Sequence, residues 1–183
     1  LVLEGLFGAV NKVVSTSELI EKEQLADLKI ICLILQHDKT ARDFLKDKTY
    51  QEEMDYLVSN EKRNKYIRNL AASLNGNTLC LFQYVEKHGK NLYETIRDRA
   101  TDKKVFYVYG GVEAEEREQI REITEKSDNA IIVASYGTFS TGINIRNLHN
   151  IIFSSPSKSR IRNLQSIGRG LRLKDNNSAA TLY

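Results

Sequence analysis

Apolar positions in this chain fall into short unbroken runs. Five stand out: LKIICLIL (28–35), TLCLF (78–82), KVFYVY (104–109), AIIVAS (130–135) and NIIF (150–153), with AATLY (179–183) as a candidate sixth. They are rich in β-branched and aromatic residues and do not alternate with polar ones. That pattern predicts strands buried on both faces, as in a parallel sheet. The text between them is helical. NEKRNKYIRNLAASL (60–74) puts Ile67, Leu70, Ala71 and Leu74 on one stripe, and NGN at 75–77 stops it. VEKHGKNLYETIRDRA (85–100) and VEAEEREQIREITEK (112–126) are charged helices with narrow apolar faces: Leu92 and Ile96 in one, Ile120 and Ile123 in the other. SKSRIRNLQSIGRGL (157–171) reads as a further helix. From residue 61 onward helix and strand therefore alternate. The expected fold is α/β: a parallel sheet built from right-handed βαβ units, with helices on both faces.

Residues 1–60 fit this rhythm less well. TSELIEKEQLADLKIICLIL (16–35) predicts a short helix, capped by Thr16 or Ser17, that feeds a strand. DKTARDFLKDKTYQEEMDYLVSN (38–60) predicts a charged helical connector. We expect a lead-in over 1–60 packed on a domain over 61–183. The opening LVLEGLFGAV reads like mid-protein text and the closing AATLY like a strand cut short, so a fragment of a longer polypeptide is expected.

Composition narrows the class. At 41% hydrophobic and 28% charged, the 183 residues suffice for one cored domain with an appendage. A net charge of +3 is too small for a protein that coats nucleic acid by charge alone. Cys32 and Cys80 both lie inside apolar runs and read as buried, reduced thiols of a cytosolic protein. The 3 histidines are scattered, and no metal site is expected. His88 and His149 read as loop or packing residues, and the spread-out tyrosines predict no stacking platform. No apolar run is long enough to span a membrane.

Ligands of α/β sheets bind beyond the carboxyl ends of the strands. There the chain carries QYVEKHG, GGVEAEER, YGTFSTGINI and SSPSKSRIR in turn. No phosphate-binding loop is present: Gly89–Lys90 is followed by Asn91, and Tyr84 stands where its first glycine should be. QEEMD (51–55) has acids but no apolar strand before it to present them to magnesium. The chain has no evident means of holding ATP·Mg²⁺ by itself. Against that background NLQSIGRGLRL (163–173) is informative. Arg169 and Arg172 share a helix face, and Gly168 and Gly170 let another backbone or a nucleotide approach. An arginine supplied across an interface to a γ-phosphate is worth roughly 10³–10⁵ in rate. Taken alone, G-R-x-x-R is better read as a basic surface turn that binds nothing in particular.

The order of the loops changes that balance. NTLCLFQYVEKHG, VYGGVEAEER, IIVASYGTFSTGINI and QSIGRGLR closely resemble four successive motifs of the second RecA-like domain of superfamily 2 helicases and translocases. The resemblance runs from Asn77 to the end and more loosely from residue 1. Within that superfamily the chain is similar to the recombination-repair helicases of T-even phages. The resemblance implies an ATP-dependent DNA motor whose absent amino-terminal RecA-like domain holds most of the ATP and Mg²⁺. It implies branched or duplex DNA as partner, and the host cell cytoplasm as location. Arg169 and Arg172 would reach the ATP phosphates, with Arg172 the better arginine finger. Gln165 would sense the acidic motif of the partner domain. Gly142 and Asn144 would lie near the ribose and γ-phosphate. Gln83, Gly110, Gly111, Arg117, Ser135 and Thr138 would face the nucleic acid. The isolated fragment is expected to be inactive.

Three departures matter. Ser166 replaces a further arginine, Asn144 replaces the common Asp, and one extra residue separates Ser135 from Gly142. GIN (142–144) resembles the duplex translocases of the chromatin-remodelling branch, which favours duplex or branched DNA and leaves open which hydroxyl touches it. A rival reading from another class is a non-enzymatic α/β module that binds nucleic acid or protein through its basic helix. There Arg169 and Arg172 would contribute equally and nothing would depend on nucleotide.

Overall fold

The computed structural model describes residue 18, residues 28–142, residue 145, residues 147–157, residue 159 and residues 180–183. The expected helices near the amino terminus and over 157–171 lie outside these residues except at positions 18, 157 and 159. So do Asn144, Gln165, Arg169 and Arg172.

The described elements run β1 (Leu28–Ile30), α1 (Lys39–Leu45), α2 (Tyr50–Ser59), α3 (Glu61–Ser73), β2 (Thr78–Phe82), a π-helical turn (Val85–Gly89) leading into α4 (Lys90–Arg99), β3 (Lys104–Val108), α5 (Ala114–Glu125), β4 (Ala130–Ser135), α6 (Tyr136–Gly142), β5 (Asn150–Phe153) and β6 (Ala180–Leu182). The six strands form one sheet in the order β1-β6-β5-β2-β4-β3, and every pairing is parallel. β2 and β4 are buried at every residue, which is why their sequences are apolar without alternation.

Alternate residues of those strands feed two cores. Leu79, Leu81, Ile132 and Ala134 pack with Ile120 of α5 and with Tyr136 and Phe139 of α6. Cys80, Phe82, Ile131 and Val133 pack with Ile67 and Ala71 of α3 and Leu92 and Ile96 of α4. Helices thus cover both faces of the sheet. Local chemistry sets the helix starts. Asp38 Oδ1 accepts the Ala41 N–H, Asn60 Oδ1 accepts the Arg63 N–H, and Thr49 and Glu52 form a reciprocal capping box. The 38–60 connector is accordingly two helices, broken before the Thr49 cap. α3 ends at a left-handed Gly76 (φ 85°) whose missing Cβ would lie 2.7 Å from the His149 ring.

Two expectations fail here. The 28–35 run is a strand only to Ile30. β6 offers it three partners, and the last ladder bond joins the Ile31 N–H to Leu182 O. Beyond that bond the run pairs with no described strand, and Ile34 is 86% exposed. Cys32, in the same stretch, is exposed, not buried. Cys80 is buried as expected, and burial pushes its thiol up to about 12, which keeps it protonated.

The amino-terminal edge of the sheet is tied together by one side chain. Asn77 is fully buried. Its Nδ2 faces the carbonyls of Thr124 (3.0 Å), Ser127 (2.7 Å) and Asn147 (2.9 Å), and its Oδ1 accepts the Ala130 N–H at 2.8 Å. One amide therefore fixes the entry to β4, the exit of α5 and the approach to β5.

Candidate functional site

Parallel strands deliver their following loops to one edge. The registers Phe82↔Ser135, Val108↔Ala134 and Leu81↔Phe153 align the ends of β2, β3, β4 and β5. Gln83, Gly110, Gly111, Ser135 and Thr138 all follow or close those strands, so the structure brings them to the same edge. Gln83, Gly110 and Gly111 are exposed. A Cβ on Gly111 would come within 2.7 Å of the Tyr109 ring, which would have to shift to admit it. A Cβ on Gly110 would meet nothing within 4 Å, and its φ is not positive. The packing of the described residues does not require glycine at 110.

Ser135 and Thr138 are buried, at 8% and 7% exposure. Ser135 caps α6: its Oγ accepts the Thr138 N–H at 3.3 Å and donates to Thr138 Oγ1 at 2.8 Å. Arg117 sits half-buried in the first turns of α5, and its Nε is buried without an acceptor among the described residues. Gly142 closes α6.

Behind this edge lies a polar cluster that the pattern of the sequence did not reveal. β5 ends at Phe153, and side-chain hydroxyls continue the pairing beyond it. Ser154 Oγ donates to Leu81 O at 2.6 Å, and Ser155 Oγ accepts the Gln83 N–H at 3.1 Å. The Tyr136 O–H donates to Ser155 O at 3.0 Å, and Arg63 donates to Ser154 O at 2.6 Å. His88 lies in the π-turn, with Nδ1 3.0 Å from Ser155 Oγ and Nε2 3.1 Å from Asn64 Oδ1. Burial first, and the Arg63 charge second, push His88 down to about 3 and keep it neutral. His88 is thus a packing histidine, and the π-turn is what carries it inward. His149 likewise packs, accepting the Asn77 N–H through Nδ1. The only sequence signal for the cluster was polar text after β2 and β5. Nothing in it paired His88 with Ser155, 67 residues away.

The tyrosines depart from expectation. Tyr107 stacks on Tyr93 at 5.1 Å and on Phe82 at 5.6 Å, and contacts Tyr109 at 5.0 Å. β3 and α4 bring together rings that are far apart in sequence. Glu86 and Glu94 lie near Tyr107, an acidic setting that disfavours a nucleic-acid platform. The acidic run of α5 is a solvated face as expected, with Arg121 bridging Glu118 and Glu125. Among the described residues no group of three His, Cys, Asp or Glu converges as a metal site would require. None of the described helices is long and apolar enough to cross a membrane.

The family model for the helicase conserved C-terminal domain matches residues 61–174. The chain belongs to that family. This helicase carboxyl-terminal domain is 40% identical over 182 residues to the ATP-dependent DNA helicase UvsW of Enterobacteria phage T4, covering 98% of this chain and 36% of that protein. The crystal structure of T4 UvsW superposes with a TM-score of 0.73 at 38% identity, over 86% of this chain and 32% of that one. The chain therefore spans about a third of the length of these relatives, and its fold is the RecA-like fold of superfamily 2 helicase carboxyl-terminal domains. The fold alone is shared with the type ISP restriction-modification enzyme LlaBIII, solved bound to DNA (TM-score 0.64, 16% identity, 98% of this chain and 13% of that one). The family match takes in the helicase segment with Gln165, Arg169 and Arg172, whose geometry lies outside the described residues.

Proposed function

We propose that this chain is the second motor domain of an ATP-dependent DNA helicase acting on branched DNA in recombination, repair and stalled-fork processing. Residues 1–60 form its lead-in, which adds β1 to the edge of the sheet, and 61–183 its RecA-like domain. ATP and Mg²⁺ are held mainly by an amino-terminal RecA-like domain of the same polypeptide. From this side Arg169 and Arg172 meet the phosphates, Gln165 faces the partner's acids, and Gly142 and Asn144 line the ribose and γ-phosphate. Gln83, Gly110, Gly111, Arg117, Ser135 and Thr138 contact the DNA backbone. For a phage-encoded protein this work takes place in the host cytoplasm.

The observation that carries the reading is the shared strand-end edge. Gln83, Gly110, Gly111, Ser135 and Thr138 come from three separate strand ends and meet on it, and the packing of the described residues does not require glycine at 110. Similarity to UvsW supports the choice of DNA over other polymers. The test compares ATP hydrolysis by the full-length protein and by the isolated chain, each with and without a forked DNA duplex. DNA-stimulated hydrolysis by the full-length protein alone is expected. Robust hydrolysis by the isolated chain would contradict the division of labour, and no hydrolysis by either would favour a non-enzymatic binding module.

A further inference from the structure

The bonds around Ser155 form a chain with only one consistent direction. Asn64 Nδ2 lies 2.7 Å from Val58 O, a carbonyl that can only accept. The amide must turn its NH₂ there, which leaves Oδ1 facing His88 Nε2 at 3.1 Å. His88 is therefore protonated on Nε2, and its bare Nδ1 accepts the Ser155 O–H at 3.0 Å. With that hydrogen committed, a Ser155 lone pair faces the Gln83 N–H at 3.1 Å. A serine alone could rotate its hydroxyl. The histidine and the asparagine hold it in the one orientation that accepts from Gln83.

The same residue reaches the next loop. Ser155 O accepts the Tyr136 O–H at 3.0 Å, and Tyr136 follows Ser135 at the start of α6. Ser155, His88 and Asn64 are inside the protein or behind the edge and do not face a ligand. Ser155 is 1% exposed and His88 is fully buried. Their bonds end on Gln83 and Tyr136, at two of the loops read above as contacting DNA.

We propose that Ser155 and His88 are positioning residues that fix the main chain of Gln83 for DNA, with Asn64 locking the histidine tautomer. This rests on the motor reading. These three residues do no chemistry. They set how much of the DNA-binding energy is lost to ordering the loop after β2, and so they act on affinity for DNA more than on turnover.

The test uses the full-length protein with a forked DNA duplex as activator of ATP hydrolysis. Ser155→Ala removes one oxygen and adds no bulk, so it is the least disruptive variant. The DNA concentration for half-maximal stimulation should rise about fivefold, the scale of one net hydrogen bond. The rate at saturating DNA should stay within about twofold. Asn64→Ala, at the far end of the chain of bonds, should shift half-saturation in the same direction. The double variant should cost no more than Ser155→Ala alone, because both break one linked device. Independent structural roles would instead make the two shifts multiply. Unchanged half-saturation in Ser155→Ala, or multiplying shifts, would overturn the positioning role and leave the motor reading intact. Should Asn64→Ala not fold, direct binding of the labelled fork by Ser155→Ala decides: unchanged affinity overturns the proposal. A wild-type protein without DNA-stimulated hydrolysis would sink the motor reading itself, and this proposal with it.

Discussion

Replacing Asn77 with alanine should destabilise the domain by about 3 kcal/mol, a value that follows from which groups are orphaned. Four polar groups face the Asn77 amide, but they do not suffer equally. Thr124 O also accepts the Lys126 and Ser127 N–H groups, and Ser127 O also accepts Asn147 Nδ2 at 3.1 Å. The Ala130 N–H and Asn147 O lose the partner described for each, and Ala130 is fully buried. Two orphaned groups at about 1–3 kcal/mol each bracket the expectation, with the lower half favoured where the small void admits a water. Asn77→Asp is the sharper control. It keeps an oxygen for the Ala130 N–H but turns a second oxygen toward three carbonyls, so at neutral pH it should cost at least as much as alanine. Urea unfolding of the full-length protein, followed by a probe within this domain, measures both. A loss below about 0.5 kcal/mol for Asn77→Ala, or a neutral Asn77→Asp, would refute the claim that this amide ties the sheet edge together.

Two further outcomes are expected. His88 is held at about 3 in the fold against an ordinary 6.5, so its depressed value contributes stability that is present above 6.5 and lost as pH falls toward 3. The stability difference between wild type and His88→Asn should therefore shrink by about 2 kcal/mol between pH 7 and pH 5, and a constant difference would show that His88 is not buried and neutral. Gly110→Ala should leave the urea midpoint unchanged, since nothing lies within 4 Å of the new methyl, yet weaken binding of a labelled DNA fork several-fold. Equal DNA affinity would remove Gly110 from the interface.

The strands most legible in the sequence were those buried on both faces. TLCLF, AIIVAS and NIIF are strands over the whole of each run, because burial on two sides demands unbroken apolar text. The edge was less legible. Residues 31–35 carry the same kind of text as the inner strands, yet the pairing with β6 is described only for Leu28–Ile30. Of the candidate site, the strand-end rule put QYVEKHG, GGVEAEER and YGTFSTGINI on one edge, and the resemblance singled out Gln83, Gly110, Gly111, Ser135 and Thr138. Both missed what holds them. His88, Ser155 and Asn64 are unremarkable in sequence, and only the π-turn and the parallel pairing of β2 with β5 bring them into contact. The tyrosine cluster was missed for the same reason: contacts across strands and helices leave no trace in local spacing.

The central claim is that Arg172 acts on the phosphates of ATP held by another domain. The most direct measurement is DNA-stimulated ATP hydrolysis by the full-length protein at saturating ATP, wild type against Arg172→Ala, with ATP binding measured separately. The account predicts a fall in kcat of about a hundredfold or more with ATP still bound, as expected for a group that stabilises the transition state. Unchanged turnover would contradict it and return the arginine pair to the status of surface charge.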